Sequence, residues 1–148
     1  MGRKNKNITI PKLFFNNTNF LISCLRGIID TDFFISFDEN YPFLGGWFST
    51  KTLVKDLEKS FISLGLKPRT LYNSKYFDGR TQKFYIRHRV ILRGKNNLNK
   101  WFTIINTHHP VLYIKYIYFN RGVCLKDKDI INNKTILDKI APALYRSK

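Results

Sequence analysis

The chain has 148 residues, which suffices for one domain with a substantial hydrophobic core but not for two. Its 26 Lys and Arg residues against 10 Asp and Glu give a formal net charge of +16, and this excess favours an anionic partner, above all nucleic acid. A ribosomal protein or an anionic membrane surface would also suit this charge, but no apolar run reaches the roughly 18 residues of a membrane-spanning helix.

Several other kinds of site lack a sequence signature. No signal-peptide core follows Met1, so we expect a soluble, intracellular protein with no membrane partner. Cys24 and Cys124 are far apart and belong to no Cys-x-x-Cys motif, which argues against a disulfide framework or a zinc site. The adjacent His108 and His109 lack a third metal ligand at usable spacing. We find no signature of a nucleophilic triad and expect no small-molecule cofactor.

Residues 1–18 are basic and rich in asparagine, with short apolar patches at 8–10 and 13–15. This composition fits either a nucleic-acid-touching arm that packs partly on the body or a disordered terminus. We favour the arm, and we place the start of the domain core at residue 19.

Residues 19–30 predict an amphipathic helix, with Thr18 or Asn19 as its N-cap. Its apolar stripe recurs at helical spacing and comprises Leu21, Cys24, Leu25, Ile28 and Ile29. Ser23 and Gly27 stand four residues apart in this stripe, and small side chains at this spacing let a second helix approach closely.

Two carboxylates, Asp30 and Asp32, follow at the C-terminal end of this helix, where the peptide dipoles already place partial negative charge. A divalent cation with oxygen ligands would compensate for that charge. A helix-to-strand turn in which an Asp bonds the local backbone is the simpler alternative.

The segment Leu25-Arg26-Gly27-Ile28-Ile29-Asp30-Thr31-Asp32-Phe33 resembles the LAGLIDADG signature of homing endonucleases. The resemblance implies that this helix packs against a copy of itself and that Asp32 holds Mg²⁺, or another divalent cation such as Mn²⁺, at the foot of the pair. Asp30 is then a structural residue of the turn. The chain departs from the signature at Phe33, where the family has a Gly that eases the exit from helix to strand.

Two strands are predicted next, at 33–38 and 43–48, joined by a turn near residues 40–42. Alternation places Ser36, Asp38 and Asn40 on one face of the first strand. Gly45-Gly46 predicts a bulge or a close backbone approach in the second strand. A helix then covers the sheet from Ser49, a plausible N-cap, to a stop at Gly65.

The second pair of strands is predicted at 68–77 and 81–93, with turn chemistry at Asp78-Gly79. Two sets of side chains alternate along the last strand, so they lie on opposite faces of the sheet. One set comprises Phe84, Ile86, His88, Val90 and Leu92. The other comprises Lys83, Tyr85, Arg87, Arg89 and Arg93, with Ile91 as an apolar interruption. His88 therefore reads as a core histidine. A strand with one solvent-exposed face would show the same alternation, but like charges along one face destabilise a sheet. We favour a surface facing DNA phosphates and guanine edges.

Helices are predicted at 96–106 and 111–119, separated by His108-His109-Pro110. We assign residues 19–119 to the core and 120–148 to a basic C-terminal tail of the same domain, whose apolar set at 130–140 could form a last helix.

The predicted class is α+β with the order α-β-β-α-β-β-α. The resemblance implies that its four-stranded antiparallel sheet is a saddle that lies in the DNA major groove. Because we find one signature only, the resemblance implies a homodimer and a long, pseudo-palindromic target.

The candidate site residues follow from these patterns and from the resemblance. The catalytic candidates are Asp32 as metal ligand, Ser49 as the polar residue that opens the second helix, and Lys115 as the basic residue near the scissile phosphate. The expected DNA contacts are Ser36, Asp38, Asn40, Arg69, Asn73, Lys75, Lys83, Tyr85, Arg87, Arg89 and Arg93. The expected dimer interface comprises Leu21, Ser23, Cys24, Gly27 and Ile28.

The leading hypothesis is a metal-dependent, site-specific endonuclease for double-stranded DNA, intron-encoded or free-standing. The alternative is a non-cleaving nucleic-acid binder on the same fold, either an intron RNA maturase or a degenerate DNA-binding protein. Phe33 favours the alternative, and the retained Asp32 favours the nuclease. A ribosome-associated protein explains the charge but not the signature.

Overall fold

The computed structural model describes residues 8–131, which contain six helices and four strands. In chain order these are α1 (Lys12–Phe15), α2 (Thr18–Asp32), β1 (Phe33–Asp38), β2 (Tyr41–Phe48), α3 (Lys51–Ser63), β3 (Pro68–Asp78), β4 (Lys83–Arg93), α4 (Lys95–Ile104), α5 (Pro110–Asn120) and α6 (Asp127–Ile131). The predicted order of elements between residues 19 and 119 is confirmed. Most of the predicted last helix, and the first seven residues of the predicted arm, lie outside the described range. None of the helices in that range has the length and apolar character needed to cross a bilayer.

The four strands form one antiparallel sheet in the spatial order β1-β2-β4-β3, which confirms the α+β class. One face of the sheet packs against the helices, because its apolar side chains share a single core with those of α2, α3 and α4. The fully buried residues of this core include Leu25, Ile29, Ile35, Leu44, Leu57, Phe61, Leu92 and Trp101. Most side chains on the opposite face lie outside this core within residues 8–131.

Helix α2 is longer at both ends than the sequence predicts. The side chain of Asn17 accepts hydrogen bonds from the N–H groups of Asn19 and Phe20 at 3.0 and 3.2 Å, so Asn17 is the N-cap in place of Thr18 or Asn19. At the other end the helix includes Asp32, so both signature acids belong to its last turn.

The corner between α2 and β1 is tight but unstrained. Phe33 has φ −103° and ψ 159°, so the position needs no glycine, and its ring packs against Phe48 and Phe61. Gly46 allows the close approach: a Cβ there would lie 2.9 Å from both the carbonyl oxygen of Asp32 and the ring of Phe48. The expectation of a close backbone approach at this glycine is therefore confirmed.

The ends of the other elements differ slightly from prediction. Glu39 and Asn40 form the β1–β2 turn with φ of 47° and 69°, the left-handed pair typical of two-residue hairpins. Helix α3 follows Thr50, which makes no side-chain capping bond, so the predicted Ser49 cap is wrong. Gly65, with φ 73°, follows the end of this helix as predicted.

Strand β3 contains a bulge that was not predicted. Residues 72–73 stand opposite His88 alone, Asn73 has φ 59°, and its N–H donates to His88 Nδ1 at 3.2 Å. One extra residue reverses the alternation of side chains along the rest of the strand.

The β3–β4 hairpin continues past the end of β2, whose last paired residue, Phe48, lies opposite His88. We call residues 74–87 the distal hairpin. Phe84 and Ile86 lie on the face opposite the cations, as the alternation predicts, but their side chains are 73% and 57% exposed. The helices between residues 8 and 131 leave this part of the sheet exposed.

Candidate nucleic-acid interface

The face of the sheet opposite the helices, here called the open face, combines cationic and aromatic side chains. Strand pairing assigns to it Phe34, Ser36, Asp38, Tyr41, Phe43, Gly45, Trp47, Arg69, Leu71, Ser74, Tyr76, Asp78, Lys83, Tyr85, Arg87, Arg89, Ile91 and Arg93. Four arginines and one lysine thus share this surface with two aspartates. Such a surface suits a polyanion with flat bases.

Aromatic rings hold three of these arginines in place. Arg87 lies over the ring of Tyr76 at 3.7 Å, and Arg93 lies 5.3 Å from the ring centre of Tyr41. Arg89 is held between two rings, those of Phe43 at 5.1 Å and Trp47 at 5.0 Å. Because cation–π contacts fix the guanidinium planes, they reduce the entropy lost when a planar partner binds.

Arg89 is the most enclosed of these arginines. Its Nε is buried and has no hydrogen-bond partner within residues 8–131. Burial, followed by repulsion from Arg93, lowers the pKa of Arg89 below its ordinary value. An anion or a strong acceptor above this residue would give its Nε a hydrogen-bond partner and would favour the charged form of the guanidinium.

The three DNA contacts predicted on and after β1 lie in three different environments. Ser36 is half-buried on the open face, opposite Phe43. Asp38 forms an ion pair with Arg93 at 2.9 Å, so these two side chains partly neutralise each other. Asn40 belongs to the exposed turn between the strands.

The bulge separates the three contacts predicted on β3. Arg69 pairs with Ile91 and lies on the open face, as expected. Lys75 pairs with Ile86 on the helix side of the sheet, so the expectation that it shares the face of Arg87 is wrong. Asn73 is the bulged residue itself, and its backbone is bonded to the adjacent strand.

Asp32 is exposed at the end of α2 and opens on a cleft of about 870 Å³. Among the described residues, its carboxylate accepts a hydrogen bond from the Thr31 hydroxyl at 3.0 Å. Ser49 lines the same cleft, so the structure brings together two of the three predicted catalytic residues. An exposed carboxylate at the negative end of a helix is well suited to attract a cation.

Asp30 has a different environment. Its carboxylate accepts hydrogen bonds from the Thr107 hydroxyl and, at 3.0 Å, from the His108 N–H. One turn earlier, Arg26 donates to the Ile105 carbonyl at 2.7 Å. Asp30 therefore secures the connection between α4 and α5, which agrees with a structural role.

Lys115 is not brought to Asp32. It is 3% exposed, and its ammonium donates to the Ile35 carbonyl at 2.7 Å and pairs with Asp127 at 2.6 Å. A buried ammonium needs such partners, because leaving it unpaired would cost several kcal/mol. The structure therefore corrects the expectation that Lys115 is the basic residue of the site.

One side of α2 is left largely uncovered by the described residues 8–131. Ser23 and Gly27 are exposed, Phe20 is 54% exposed, and a Cβ built on Gly27 would meet no atom within 4 Å. Cys24 and Ile28 are half-buried at the edge of this strip. Leu21 is buried in the core of the chain itself, so its predicted place in a dimer interface is wrong.

Sequence reasoning missed the aromatic partners of the arginines. Tyr41, Phe43 and Trp47 alternate along β2 with core residues, and this alternation could have indicated their shared face with β4. Tyr76 could not have been placed in this way, because the bulge precedes it.

His88 is a core histidine, as predicted. It is buried, and its Nδ1 accepts the hydrogen bond from Asn73. Burial, followed by the charge of Lys51, lowers its pKa from 6.5, so the ring is neutral at pH 7.

Within residues 8–131, no three His, Cys, Asp or Glu side chains are grouped so that they could hold a metal ion. A site that takes one carboxylate from each of two chains would need only Asp32 from this one. Comparison with protein-family models finds no match, and comparison with curated proteins finds no matching sequence.

Proposed function

We propose that the protein is a divalent-metal-dependent, site-specific DNA endonuclease of the LAGLIDADG homing type that acts as a homodimer. The observation that carries this proposal is the position of Asp32. Its exposed carboxylate lies at the foot of a helix with an uncovered small-residue side, in a cleft next to an arginine-rich sheet face.

The donor set is compatible with Mg²⁺ or Mn²⁺. Both ions prefer carboxylate and water oxygens, and Asp32 has oxygen lone pairs that residues 8–131 leave unused. Packing of α2 against α2 of a second copy would bring the two Asp32 residues to the same place. A divalent cation bound there would activate water and neutralise charge on the phosphate.

DNA recognition is assigned to the open face. Two such faces, related by the two-fold axis of the dimer, would contact two half-sites of a long target. The stacked arginines can donate to guanine O6 and N7, whereas Lys83 at the end of the distal hairpin suits a phosphate.

A non-cleaving nucleic-acid binder, such as an intron RNA maturase or a DNA-binding descendant of a nuclease, is the second candidate. The burial of Lys115 favours it, because the site then lacks the basic residue that the resemblance implied. Both candidates use the same open face and differ only in whether Asp32 supports hydrolysis.

Cleavage of DNA that joins the sequences flanking the reading frame tests the proposal. We expect cutting with Mg²⁺ or Mn²⁺ and none with EDTA. Asp32→Asn should reduce cutting by at least about 100-fold, because the amide is a poor ligand for a hard cation, while the affinity for DNA measured in EDTA changes little.

Lys55→Ala is the matched control, since Lys55 is an exposed residue of α3 away from the open face. It should cut like the wild type. Tight, specific binding without cutting under either metal would instead support the second candidate.

A further inference from the structure

The cleft that contains Asp32 and Ser49 is bounded on its far side by the distal hairpin. Arg87 and Tyr85 of β4 line it, together with Trp47 at the end of β2. Arg87 is the cation among the residues that line this cleft, so it opens on the same space as the carboxylate that the proposed function assigns to the metal.

We propose that Arg87 is a catalytic residue that binds the scissile phosphate and stabilises the charge that develops on it. This inference rests on the proposed function. It gives Arg87 the role that the signature resemblance suggests for Lys115. The ammonium of Lys115 instead donates to the Ile35 carbonyl and pairs with Asp127.

The setting of Arg87 supports this role. Its guanidinium lies 3.7 Å from the centre of the Tyr76 ring, a contact that fixes the plane of the group and leaves its N–H edges free to donate. Arg87 pairs with no acid within residues 8–131. Asp78, the other acid of the cleft, accepts from the Arg80 backbone at 3.0 Å and lies 3.5 Å from Arg80 Nε.

Arg89, only two residues away, has a different setting. It lies between Phe43 and Trp47 on the open face and does not line the cleft. Alternation along β4 thus places two arginines on one face, one lining the cleft of Asp32 and one over the sheet. We infer that Arg87 serves the reaction and Arg89 serves recognition.

The chemistry needs a cation there. During hydrolysis a water oxygen bonds to phosphorus, the bond from phosphorus to one sugar oxygen breaks, the water loses a proton to solvent, and the leaving oxygen gains one. Negative charge accumulates on the non-bridging oxygens, and two N–H groups of a guanidinium can bond to them. Arg87 would donate hydrogen bonds and transfer no proton, since a guanidinium is a donor without an acceptor atom.

The test compares single-turnover cleavage at saturating protein with DNA affinity measured in EDTA. Arg87→Ala should lower the cleavage rate constant by about 10²–10³ and the affinity by less than about tenfold. Arg87→Lys should retain part of the rate, because it keeps the charge but loses the planar fork. Lys55→Ala removes the same charge from the surface of α3 and should cut normally.

A second measurement changes the DNA and needs no cleavage by the variant. Once the wild type has shown which bond it cuts, that phosphate is replaced by a neutral methylphosphonate. Wild-type affinity in EDTA should fall several-fold, whereas the affinity of Arg87→Ala should be the same for both DNAs.

The inference is overturned if the cleavage rate of Arg87→Ala falls only in step with its affinity, or if wild-type binding ignores the methylphosphonate. In either case the proposed function stands, because the wild type still cuts. If the wild type cuts nothing with Mg²⁺ or Mn²⁺, the proposed function and this inference fail together.

Discussion

Three arginines on one strand differ in the residues that surround them. Arg93 shares its charge with Asp38, Arg87 stacks on Tyr76, and Arg89 is enclosed by two rings. Enclosure makes Arg89 the best suited to read a base, since a fixed guanidinium loses little entropy when it bonds two acceptors of one guanine.

We predict that Arg89→Ala weakens binding to the preferred target by about 1–3 kcal/mol and broadens the sequence preference at a single base pair of each half-site. Arg89→Lys should broaden it too, because lysine keeps the charge but not the two-pronged geometry. Selection from a randomised half-site library measures both effects. A preference that remains unchanged at every position would exclude Arg89 as a base reader.

At the scale of elements, the corner between α2 and β1 determines where Asp32 lies. The last turn of α2 rests directly on β2 at Gly46, where the backbone carbonyl of Asp32 would meet a Cβ at 2.9 Å. The position of the carboxylate therefore depends on the absence of a side chain on the neighbouring strand.

We predict that Gly46→Ala destabilises the fold by about 1–3 kcal/mol, because the obstructing atom belongs to the backbone and cannot rotate away. Urea unfolding followed by circular dichroism measures the change. Gly79→Ala is the matched control, since a Cβ at Gly79 meets nothing within 4 Å. Equal unfolding free energies for the two variants would contradict the close contact.

The elements themselves were predictable from the sequence, because alternation and helical spacing reflect burial on one face. The positions of Asp32 and of the β4 arginines followed from those patterns. Lys75 and Lys115 did not, for different reasons. A bulge at residues 72–73 reversed the parity of Lys75, and the burial of Lys115 depends on Asp127, an acid from α6. Neither the bulge nor the contact between Lys115 and Asp127 produces a periodic pattern in the sequence.

At the scale of the whole molecule, two features have opposite effects on pairing with a second copy. The exposed side of α2 favours it, and the net charge of +16 opposes it. Two chains of this charge repel each other, so we expect pairing through α2 to be strengthened by DNA, which neutralises both chains. A helix contact without charged side chains, around Ser23 and Gly27, suits such a dimer.

We predict that Gly27→Leu stabilises the isolated chain by up to about 1 kcal/mol, because leucine is a better helix former and its Cβ would meet no described atom within 4 Å. The same change should weaken dimer formation on DNA by at least about tenfold, since its side chain holds two helices apart. Thermal unfolding and sedimentation velocity measure the two effects. A dimer that forms equally well would show that α2 is not the contact.

The bulge in β3 has a consequence for how this protein could change. Asn73 is the surplus residue, and the residues on both sides of it already share a face with their β4 partners, because Leu71 pairs with Arg89 and Ser74 pairs with Arg87. Deletion of that one codon would therefore straighten the strand and leave Tyr76 beneath Arg87. It would also remove the N–H group that donates to the buried ring of His88. The open face could thus keep its residues when the bulge is lost, while the core loses a hydrogen bond.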